Sequence, residues 1–169
     1  MFGKQKYPTS AFYIFANVTI INGGQILLTL SEDRVENNIW TPPGGEVEVR
    51  EGQTPYEAAV AEVYQEVGLK IDSKDLRLID NPQFIYPTPA YDPYNGIGLV
   101  ILSYLHTGFW NTGEIKLNRV PEKGCMIKKY KLVALPTSME EIEKWNINIY
   151  PNYTEKLLEL NQLLREEKI

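Results

Sequence analysis

Six glutamates follow two adjacent glycines in one short stretch of the chain, and carboxylates at this density are suited to binding a metal ion. The stretch reads GGEVEVREGQTPYEAAVAEVYQEVGL from Gly44 to Leu69, with glutamates at positions 46, 48, 51, 57, 62 and 66. Carboxylate and carbonyl oxygens are the ligands that Mg²⁺ and Mn²⁺ prefer. Adjacent glycines let another group approach the backbone closely. The stretch therefore predicts that several acids converge on a divalent cation beside the glycines.

A helix must position the second half of these acids, and the sequence marks both of its ends. Thr54 can cap the N-terminus, Pro55 suits the first helical position, and Glu57 completes a T-x-x-E capping box. Gly68 can end the helix because glycine readily adopts the left-handed backbone of a C-cap. These signals predict a helix between Thr54 and Gly68.

The acidic pair of this helix lies apart from its apolar stripe. Glu62 and Glu66 are four residues apart and share a face, with Gln65 beside them. Like charges at this spacing cost a few tenths of a kcal/mol on a bare helix, so the pair is either tolerated in solvent or neutralised by a cation. The glycines and loop glutamates that precede the helix favour the cation. The stripe predicted to face the core consists of Tyr56, Val60, Val63 and Val67.

Strand and helix signals on both sides of this helix predict a mixed fold. An NGG turn between β-branched runs is typical of a hairpin, and the run GIGLVILSYLHT is apolar enough for a central strand. A second capping signature, at Thr137 or Ser138, precedes a short helix. The predicted strands are Ala11–Ile21, Gln25–Ser31, Leu76–Tyr86, Gly96–Thr107 and Met126–Ala134, and the predicted closing helix is Tyr153–Glu166. Strands mixed with about three helices indicate an α/β (α+β) domain.

Length and composition favour one soluble globular domain over residues 1–169. Of these residues 43% are hydrophobic and 23% are charged, and the formal net charge is −5. A negative chain disfavours broad binding to nucleic-acid backbones, but it permits small phosphorylated ligands near a local positive centre. The start of the chain lacks a secretory signal pattern, and the single Cys125 allows no internal disulfide. We therefore expect a cytoplasmic protein that does not enter membranes.

The glycine and glutamate pattern resembles a known family signature. WTPPGGEVE followed by EGQTPYEAAVAEVYQEVGL is similar to the signature of the Nudix hydrolase family (MutT-like proteins). In that signature a glycine and a glutamate precede a helix bearing Arg-Glu-aliphatic-x-Glu-Glu-x-Gly-aliphatic. Gly45 matches the signature glycine, and Glu62 and Glu66 match two helix glutamates. The resemblance implies a Nudix fold, in which a mixed β-sheet is sandwiched between helices.

Three signature positions differ, so the resemblance is to a degenerate Nudix box. Gln53 stands where the loop glutamate is expected, Ala61 where the arginine is, and Gln65 where the first glutamate of the Glu-Glu pair is. Two extra residues, best placed at Val49 and Arg50, lengthen the loop. In the family that this chain resembles, the arginine and the loop glutamate form an ion pair that holds the loop against the helix. Losing both residues leaves no charge unpaired. Gln65 removes one negative charge, although its amide oxygen can still coordinate a cation.

The resemblance implies a metal-dependent hydrolase that cleaves a pyrophosphate bond in a nucleoside diphosphate linked to another moiety. It implies Mg²⁺ or Mn²⁺ as cofactor, held by Gly45, Glu62, Gln65 and Glu66. Glu62, Glu66 and Glu122 are then catalytic candidates, with Glu122, in a downstream loop, favoured as the base and Glu66 or a third acid such as Glu114 as alternatives. His106, near the end of an apolar strand, is less suited to that role. The altered positions leave an alternative open, a weakened or inactive Nudix-fold module that binds or senses a nucleotide.

Substrate contacts are predicted from an upstream arginine and a proline-rich loop. Arg34 can meet phosphate oxygens, or it is an ordinary loop charge. Tyr86, Tyr91 and Tyr94 can stack a nucleobase, or they pack within the stiff loop YPTPAYDPYNG. Dimers are common among proteins of the family that this chain resembles, so a homodimer is also compatible with the sequence. We expect a small-molecule nucleotide or nucleotide conjugate as the binding partner.

Overall fold

A mixed β-sheet with helices packed on both faces forms the fold. The computed structural model describes residues 10–79, 83–85, 98–110, 113–120, 126–149 and 151–166. The strands are β1 (Ser10–Asn22), β2 (Gln25–Ser31), β3 (Gly44–Glu46), β4 (Arg77–Leu78), β5 (Gln83–Ile85), β6 (Gly98–Phe109) and β7 (Ile127–Ala134). The helices are α1 (Pro55–Val67), α2 (Met139–Glu143) and α3 (Pro151–Arg165), with 3₁₀ turns at Glu32–Arg34, Val49–Glu51 and Ser73–Asp75. The predicted α/β class is confirmed.

The sheet is built around two long parallel strands. β1 and β6 pair in parallel from Ser10 opposite Gly98 to Ile21 opposite Phe109. The strand order is β4-β6-β1-β2-β7, β5 also pairs with β6, and β3 also pairs with β1. These other pairs are antiparallel. Because β6 has neighbours on both sides, its predicted central position is confirmed. It ends two residues later than predicted, and the predicted first residues, Gly96 and Ile97, lie outside the described residues.

The first two strands form the predicted hairpin. Asn22 pairs with Gln25, and Gly23 and Gly24 between them have φ angles of 56° and 79°. A two-residue hairpin turn of this kind needs positive φ at both positions, which glycine adopts without a steric penalty. The NGG motif therefore accounts for the register between β1 and β2.

The strand predicted over Leu76–Tyr86 is wrong as a single element, because two short strands lie there. β4 pairs Leu78 with His106, whereas β5 pairs Gln83 with Ser103. Four residues separate these paired positions on the β4–β5 side, but only two separate them on β6. One continuous ladder cannot absorb that difference, and the longer side also contains a proline, which has no N–H to donate to a ladder.

Alternating side chains of β1 and β2 build two hydrophobic clusters, one on each face of the sheet. The cluster against α1 contains Ala16, Val18, Ile20 and Leu27 from the strands and Ala59, Val63 and Val67 from the helix. The cluster against α3 contains Ile21, Ile26, Leu28 and Leu30 from the strands and Tyr153, Leu157 and Leu160 from the helix. The sheet therefore lies between its two long helices, as the sequence predicts.

The capping signals of α1 act where the sequence predicts. Both hydrogen bonds of the capping box between Thr54 and Glu57 are present, and Pro55 is the first residue of the helix. The bonds from Thr54 lower the pKa of the Glu57 carboxyl, because they favour its charged form. Gly68 ends the helix with a φ of 74°. The helix that carries the acidic pair therefore begins and ends as predicted.

The remaining helices resolve one open alternative. Ser138, rather than Thr137, caps α2, since its hydroxyl accepts a hydrogen bond from the N–H of Glu141. The closing helix α3 starts two residues earlier than predicted and ends one residue earlier. Within the described ranges, none of the helices combines the length and apolar character that crossing a membrane requires.

The predicted core stripe of α1 is partly wrong. Val63 and Val67 are fully buried as expected, but Tyr56 remains 37% exposed and Val60 is only half-buried. The alanines at positions 58 and 59 are buried instead. Their small side chains bring α1 close to the sheet, which leaves a large ring near the start of the helix at the margin of the interface.

Candidate active site

The chain is fixed to the sheet just before the two glycines. Thr29 and Thr41 exchange backbone hydrogen bonds of 2.8 and 3.0 Å, and the N–H of Val18 donates to the carbonyl of Pro43 at 2.8 Å. β3 then runs antiparallel to β1. These bonds fix the position of β3, which we call the glycine strand (Gly44–Glu46), before α1 begins. The strand against which α1 packs is therefore held in place by the sheet.

Gly45 faces α1 and leaves space that a carboxylate fills. It pairs with Ala16, whose side chain lies in the cluster against α1. A Cβ atom built on Gly45 would overlap the Glu62 carboxylate and would lie 2.8 Å from its Oε2. Side chains that are paired across a sheet point to the same face. The glycine therefore leaves room for the Glu62 carboxylate, which occupies the position that a side chain would take.

The second acid of α1 is held by the neighbouring glycine. Oε2 of Glu66 accepts a hydrogen bond of 3.1 Å from the backbone N–H of Gly44. Glu62 and Glu66, one helical turn apart, thus both contact the glycine strand, and the predicted juxtaposition of these two acids with the glycines is observed.

Gln65, between these acids in sequence, carries an unsatisfied acceptor. Its Oε1 atom is buried and receives no hydrogen bond from any residue that the structure describes. A buried polar atom without a partner typically costs about 1–3 kcal/mol. Such an atom is stabilised when a donor or a cation binds to it.

The oxygen atoms of this region suit a hard divalent cation. They comprise the carboxylates of Glu62 and Glu66, the amide oxygen of Gln65 and the carbonyls of the glycine strand, which are donor types that Mg²⁺ and Mn²⁺ accept. Across the described ranges, no three side chains of His, Cys, Asp or Glu come together as a metal-binding group. A cation here would therefore depend on two carboxylates, with amide, carbonyl and water oxygens completing its coordination.

The expectation that loop glutamates also converge on this site is wrong for the described residues. Glu46 follows Gly45 in β3, so it points to the opposite face of the strand from Glu62. Burial, with a smaller contribution from the charge of Glu48, raises the pKa of the Glu46 carboxyl. Glu48 and Glu51 are exposed on either side of the inserted residues. Strand alternation and the inserted turn account for the difference.

The two-residue insertion forms a closed turn. Val49–Glu51 is a 3₁₀ turn that ends at Gly52 with a φ of 78°. Oε1 of Gln53 accepts a hydrogen bond of 2.9 Å from the N–H of Glu48. The neutral amide of Gln53 therefore closes the loop. Arg50 forms no ion pair with a carboxylate of the described residues.

A further contact at Glu66 has little signal in the sequence. The backbone N–H of Asn118 donates to the carbonyl of Glu66 at 2.9 Å. Asn118 has a φ of 54°, a left-handed conformation that asparagine tolerates better than most residues. The residue type is therefore the only hint, and no local pattern links it to a helix that ends at Val67.

Arg34 lies beside the segment that leads to the glycines. Its Nη1 donates to Oγ1 of Thr41 at 2.8 Å, and its Nε lies 3.9 Å from a carboxylate oxygen of Asp33. The side chain is 34% exposed, so part of the guanidinium still faces solvent. Arg34 thus braces the glycine segment, and its predicted contact with phosphate stays a prediction.

Four of the predicted residues are not placed by the structure. Tyr86, Tyr91 and Glu122 lie outside the described residues, as does Tyr94. The backbone of His106 belongs to β6, where it pairs with Val18, but its side chain is not described. The roles predicted for these residues therefore stay predictions.

Solved structures of several other proteins share this fold. A C. elegans Ap4A hydrolase in a binary complex matches with a TM-score of 0.59 and 17% identity, over 91% of this chain and 98% of that one. A NUDIX-family hydrolase from Clostridium perfringens matches with a TM-score of 0.56 and 22% identity, over 89% of this chain and 97% of that one. A bifunctional NMN adenylyltransferase/ADP-ribose pyrophosphatase from Francisella tularensis, solved with AMP and manganese, matches with a TM-score of 0.58 and 15% identity, over 95% of this chain and 43% of that one.

The sequence itself matches a domain family. The NUDIX domain pattern covers residues 14–153, which include the glycine strand, α1 and most of the sheet. Members of this family are generally pyrophosphohydrolases that bind nucleotides and typically use divalent metal ions. The match extends over well more than half of the 169 residues. The chain therefore belongs to the Nudix hydrolase family.

Proposed function

We propose that this protein is a divalent-metal-dependent hydrolase that cleaves a pyrophosphate bond in a nucleoside diphosphate linked to another moiety. One observation carries the proposal: Glu62 and Glu66 of α1 both contact the strand formed by Gly44 and Gly45. This arrangement gathers anionic oxygens at a fixed backbone site. Membership of the Nudix family supports the reaction class.

Mg²⁺ or Mn²⁺ is the proposed cofactor. Glu62, Gln65 and Glu66 would hold it with the carbonyl of Gly45. When bound, the ion supplies positive charge that offsets the negative charge of the diphosphate. The Gly44 N–H orients the Glu66 carboxylate, and the tight contact with Gly45 limits where Glu62 can lie. These contacts would pre-organise the acids before substrate arrives.

The bond changes of the proposed reaction are simple. A water oxygen forms a bond to one phosphorus, and the bond from that phosphorus to the bridging oxygen breaks. The bridging oxygen leaves with the second phosphoryl group, and a carboxylate accepts the proton of the water. Glu122 is the proposed base, because it is a carboxylate in the segment between Asn118 and β7. Glu62 and Glu66 then act mainly in binding and charge stabilisation.

A nucleotide is the proposed substrate class. Arg34 retains exposed guanidinium surface beside the glycine segment, which suits a phosphate oxygen. Tyr86 and Tyr91 remain the proposed stacking partners for the base. The C. elegans and F. tularensis proteins that share the fold are an Ap4A hydrolase and a protein solved with AMP, and both facts agree with a nucleotide substrate.

Metal removal tests the proposal directly. We expect the protein to release phosphorylated products from at least one nucleoside diphosphate conjugate with millimolar Mg²⁺ or Mn²⁺, and to stop when EDTA removes the ion. The panel should contain dinucleoside polyphosphates, nucleotide sugars and dinucleotide cofactors, with products separated by ion-exchange chromatography. Reactions in ¹⁸O-labelled water should place the label on one phosphorylated product. Turnover that persists in EDTA would contradict the proposal.

A second candidate is a Nudix-fold module that binds or senses a nucleotide with little or no turnover. The neutral residues Gln53, Ala61 and Gln65, at positions where the signature has charged ones, favour it. Titration calorimetry would separate the two functions. Binding of a nucleotide in the presence of Mg²⁺, with no product after prolonged incubation, supports the sensor.

Gln65→Glu tests whether the neutral amide limits activity. We expect kcat/KM to rise on the order of tenfold, because a third carboxylate strengthens the attraction for a divalent cation. The buried charge should also lower Tm in EDTA and make Tm rise more with Mg²⁺ than in the parent protein. Gln25→Glu, an exposed change at the hairpin, is the matched control. A variant with unchanged Mg²⁺ dependence of both activity and Tm would show that Gln65 does not face the cation.

A further inference from the structure

We propose that Asn118 is a positioning residue that holds the C-terminal end of α1, and with it Glu66, in fixed relation to the start of β7. The inference rests on the proposed function, since Glu66 matters only if the site binds a cation. Among the described residues, no hydrogen bond joins Asn118 to the strand of Gly44 and Gly45. Its effect on chemistry would pass through the backbone of α1.

A segment that we call the strap, residues 113–120, caps the end of the acidic helix. The N–H groups of Lys116, Asn118 and Val120 donate to the carbonyls of Val67, Glu66 and Gln65 at 2.9, 2.9 and 3.4 Å. The last carbonyls of a helix have no partner within the helix, so they need donors from elsewhere. The strap supplies them in a regular alternation, and it thereby fixes the turn that carries both Gln65 and Glu66.

The side chain of Asn118 ties the strap to the sheet. Its Nδ2 donates to the carbonyl of Ile127 at 2.9 Å, and its Oδ1 accepts from the N–H of Ile127 at 2.7 Å. One amide therefore satisfies both backbone groups of the first residue of β7, as a paired strand residue would. Asn118 is half-buried, which limits replacement of these bonds by water. The end of α1 and the edge of the sheet are thus joined through one residue.

Asparagine meets three demands at this position. The backbone is left-handed, with a φ of 54°, and the side chain must both donate and accept. Glycine tolerates the backbone but has no side chain, and aspartate can accept but not donate. No other common residue combines all three properties at this length. The position therefore depends on side-chain chemistry as well as on conformation.

Glu66 is consequently held at two points. Its carboxylate accepts from the N–H of Gly44, and its carbonyl accepts from the N–H of Asn118. If the clamp between Asn118 and Ile127 is lost, the strap keeps its bonds to the helix end and the packing of Ile115 and Leu117 against the core, but it is no longer tied to β7. The helix end that it caps frays readily. We expect the Glu66 carboxylate then to sample positions away from the glycine strand. The segment between Asn118 and Ile127 also contains the proposed base Glu122 in sequence, so both ends of that segment depend on the same clamp.

Asn118→Gly separates the clamp from the backbone requirement. We expect kcat to fall about 10- to 100-fold, the range typical of residues that orient metal ligands, with KM within about threefold of the parent value. Binding of Mn²⁺, followed by calorimetry without substrate, should weaken by a similar factor. The matched control is Asn146→Gly, because Asn146 also has a left-handed backbone, with a φ of 55°, and its side chain makes no hydrogen bond among the described residues. That control should keep the parental kcat and Mn²⁺ affinity.

Each outcome of this experiment decides something. Asn118→Gly with parental kcat and Mn²⁺ affinity would overturn the positioning role while leaving the proposed function intact. A parent protein that neither binds Mn²⁺ nor hydrolyses any nucleotide would overturn the proposed function and this inference together. If Asn118→Gly does not fold, Asn118→Asp serves instead, since it keeps the bond from the N–H of Ile127 and lacks only the donor. A kcat for Asn118→Asp equal to that of the parent would again overturn the role.

Discussion

Glu66→Gln lowers kcat about a hundredfold or more and weakens Mn²⁺ binding, while the protein stays folded. The substitution keeps the shape of the side chain and an oxygen that can accept from the N–H of Gly44 at the 3.1 Å seen here, so α1 and the glycine strand remain in contact. It removes one of two anionic oxygen donors. The loss of one such charge at a metal site is on the order of 3 kcal/mol in the transition state. Steady-state kinetics over a range of Mg²⁺ concentrations, with calorimetry of Mn²⁺ binding, measures both effects.

Glu143→Gln is the matched control for this substitution. Glu143 is an exposed acid on α2, and its replacement removes the same charge from the protein as a whole. We expect parental kcat and metal affinity for it, and an unchanged Tm for both variants in EDTA. Parental turnover of Glu66→Gln at limiting Mg²⁺ would show that the acid is not a ligand, and the metal site would have to be sought elsewhere.

The local part of this site was readable in the sequence because its signals act over a few residues. The capping box of Thr54 and Glu57, the C-cap at Gly68 and the four-residue spacing of Glu62 and Glu66 all depend on neighbours within one or two helical turns. Those features set the helix, its ends and the shared face of the two acids.

The parts that depend on distant pairing were not readable. Whether Gly45 or Glu46 faces α1 is decided by the register of β3 against β1, and one step of slippage would exchange them. The exposure of Tyr56 depends on how closely two alanines let α1 approach the sheet. The clamp at Asn118 links the start of β7 to the end of α1, and α1 is far from both in sequence. Each of these outcomes is a property of the assembled sheet and not of a local motif.

The two glycines of the pair therefore have different jobs, although they are adjacent in sequence. A Cβ atom on Gly44 would overlap the backbone oxygen of Ala16 and lie 2.6 Å from the Cα of Asn17. These are backbone atoms of β1, which cannot move without disturbing the sheet. For a Cβ atom on Gly45, the three nearest atoms all belong to the Glu62 carboxylate. That end of the side chain can rotate away. Gly44 is therefore needed for the stability of the fold, and Gly45 is needed for the position of the Glu62 carboxylate.

Gly45→Ala consequently lowers kcat/KM about a hundredfold with little change in Tm. The added methyl group takes the space of the Glu62 carboxylate, so the carboxylate must move by an ångström or more, and a misplacement of that size can cost about 10²-fold in rate. Gly44→Ala has the opposite signature. It should destabilise the fold by about 1–3 kcal/mol, as overpacking against backbone does, and lower Tm accordingly. Thermal unfolding in EDTA and kinetics at saturating Mg²⁺ measure the two effects separately.

Gly24→Ala is the control that distinguishes a disturbed site from a strained backbone. Gly24 lies in the hairpin turn with a φ of 79°, and apart from its chain neighbours no atom of the described residues lies within 4 Å of a Cβ built there. The substitution should cost about 1–2 kcal/mol through its left-handed backbone, yet leave kcat/KM at the parental value. If Gly45→Ala behaved in the same way, losing stability but not activity, then the carboxylate of Glu62 would have no part in turnover. If Gly45→Ala lost activity at parental Tm, the contact between Gly45 and the Glu62 carboxylate would be needed for turnover and not for stability.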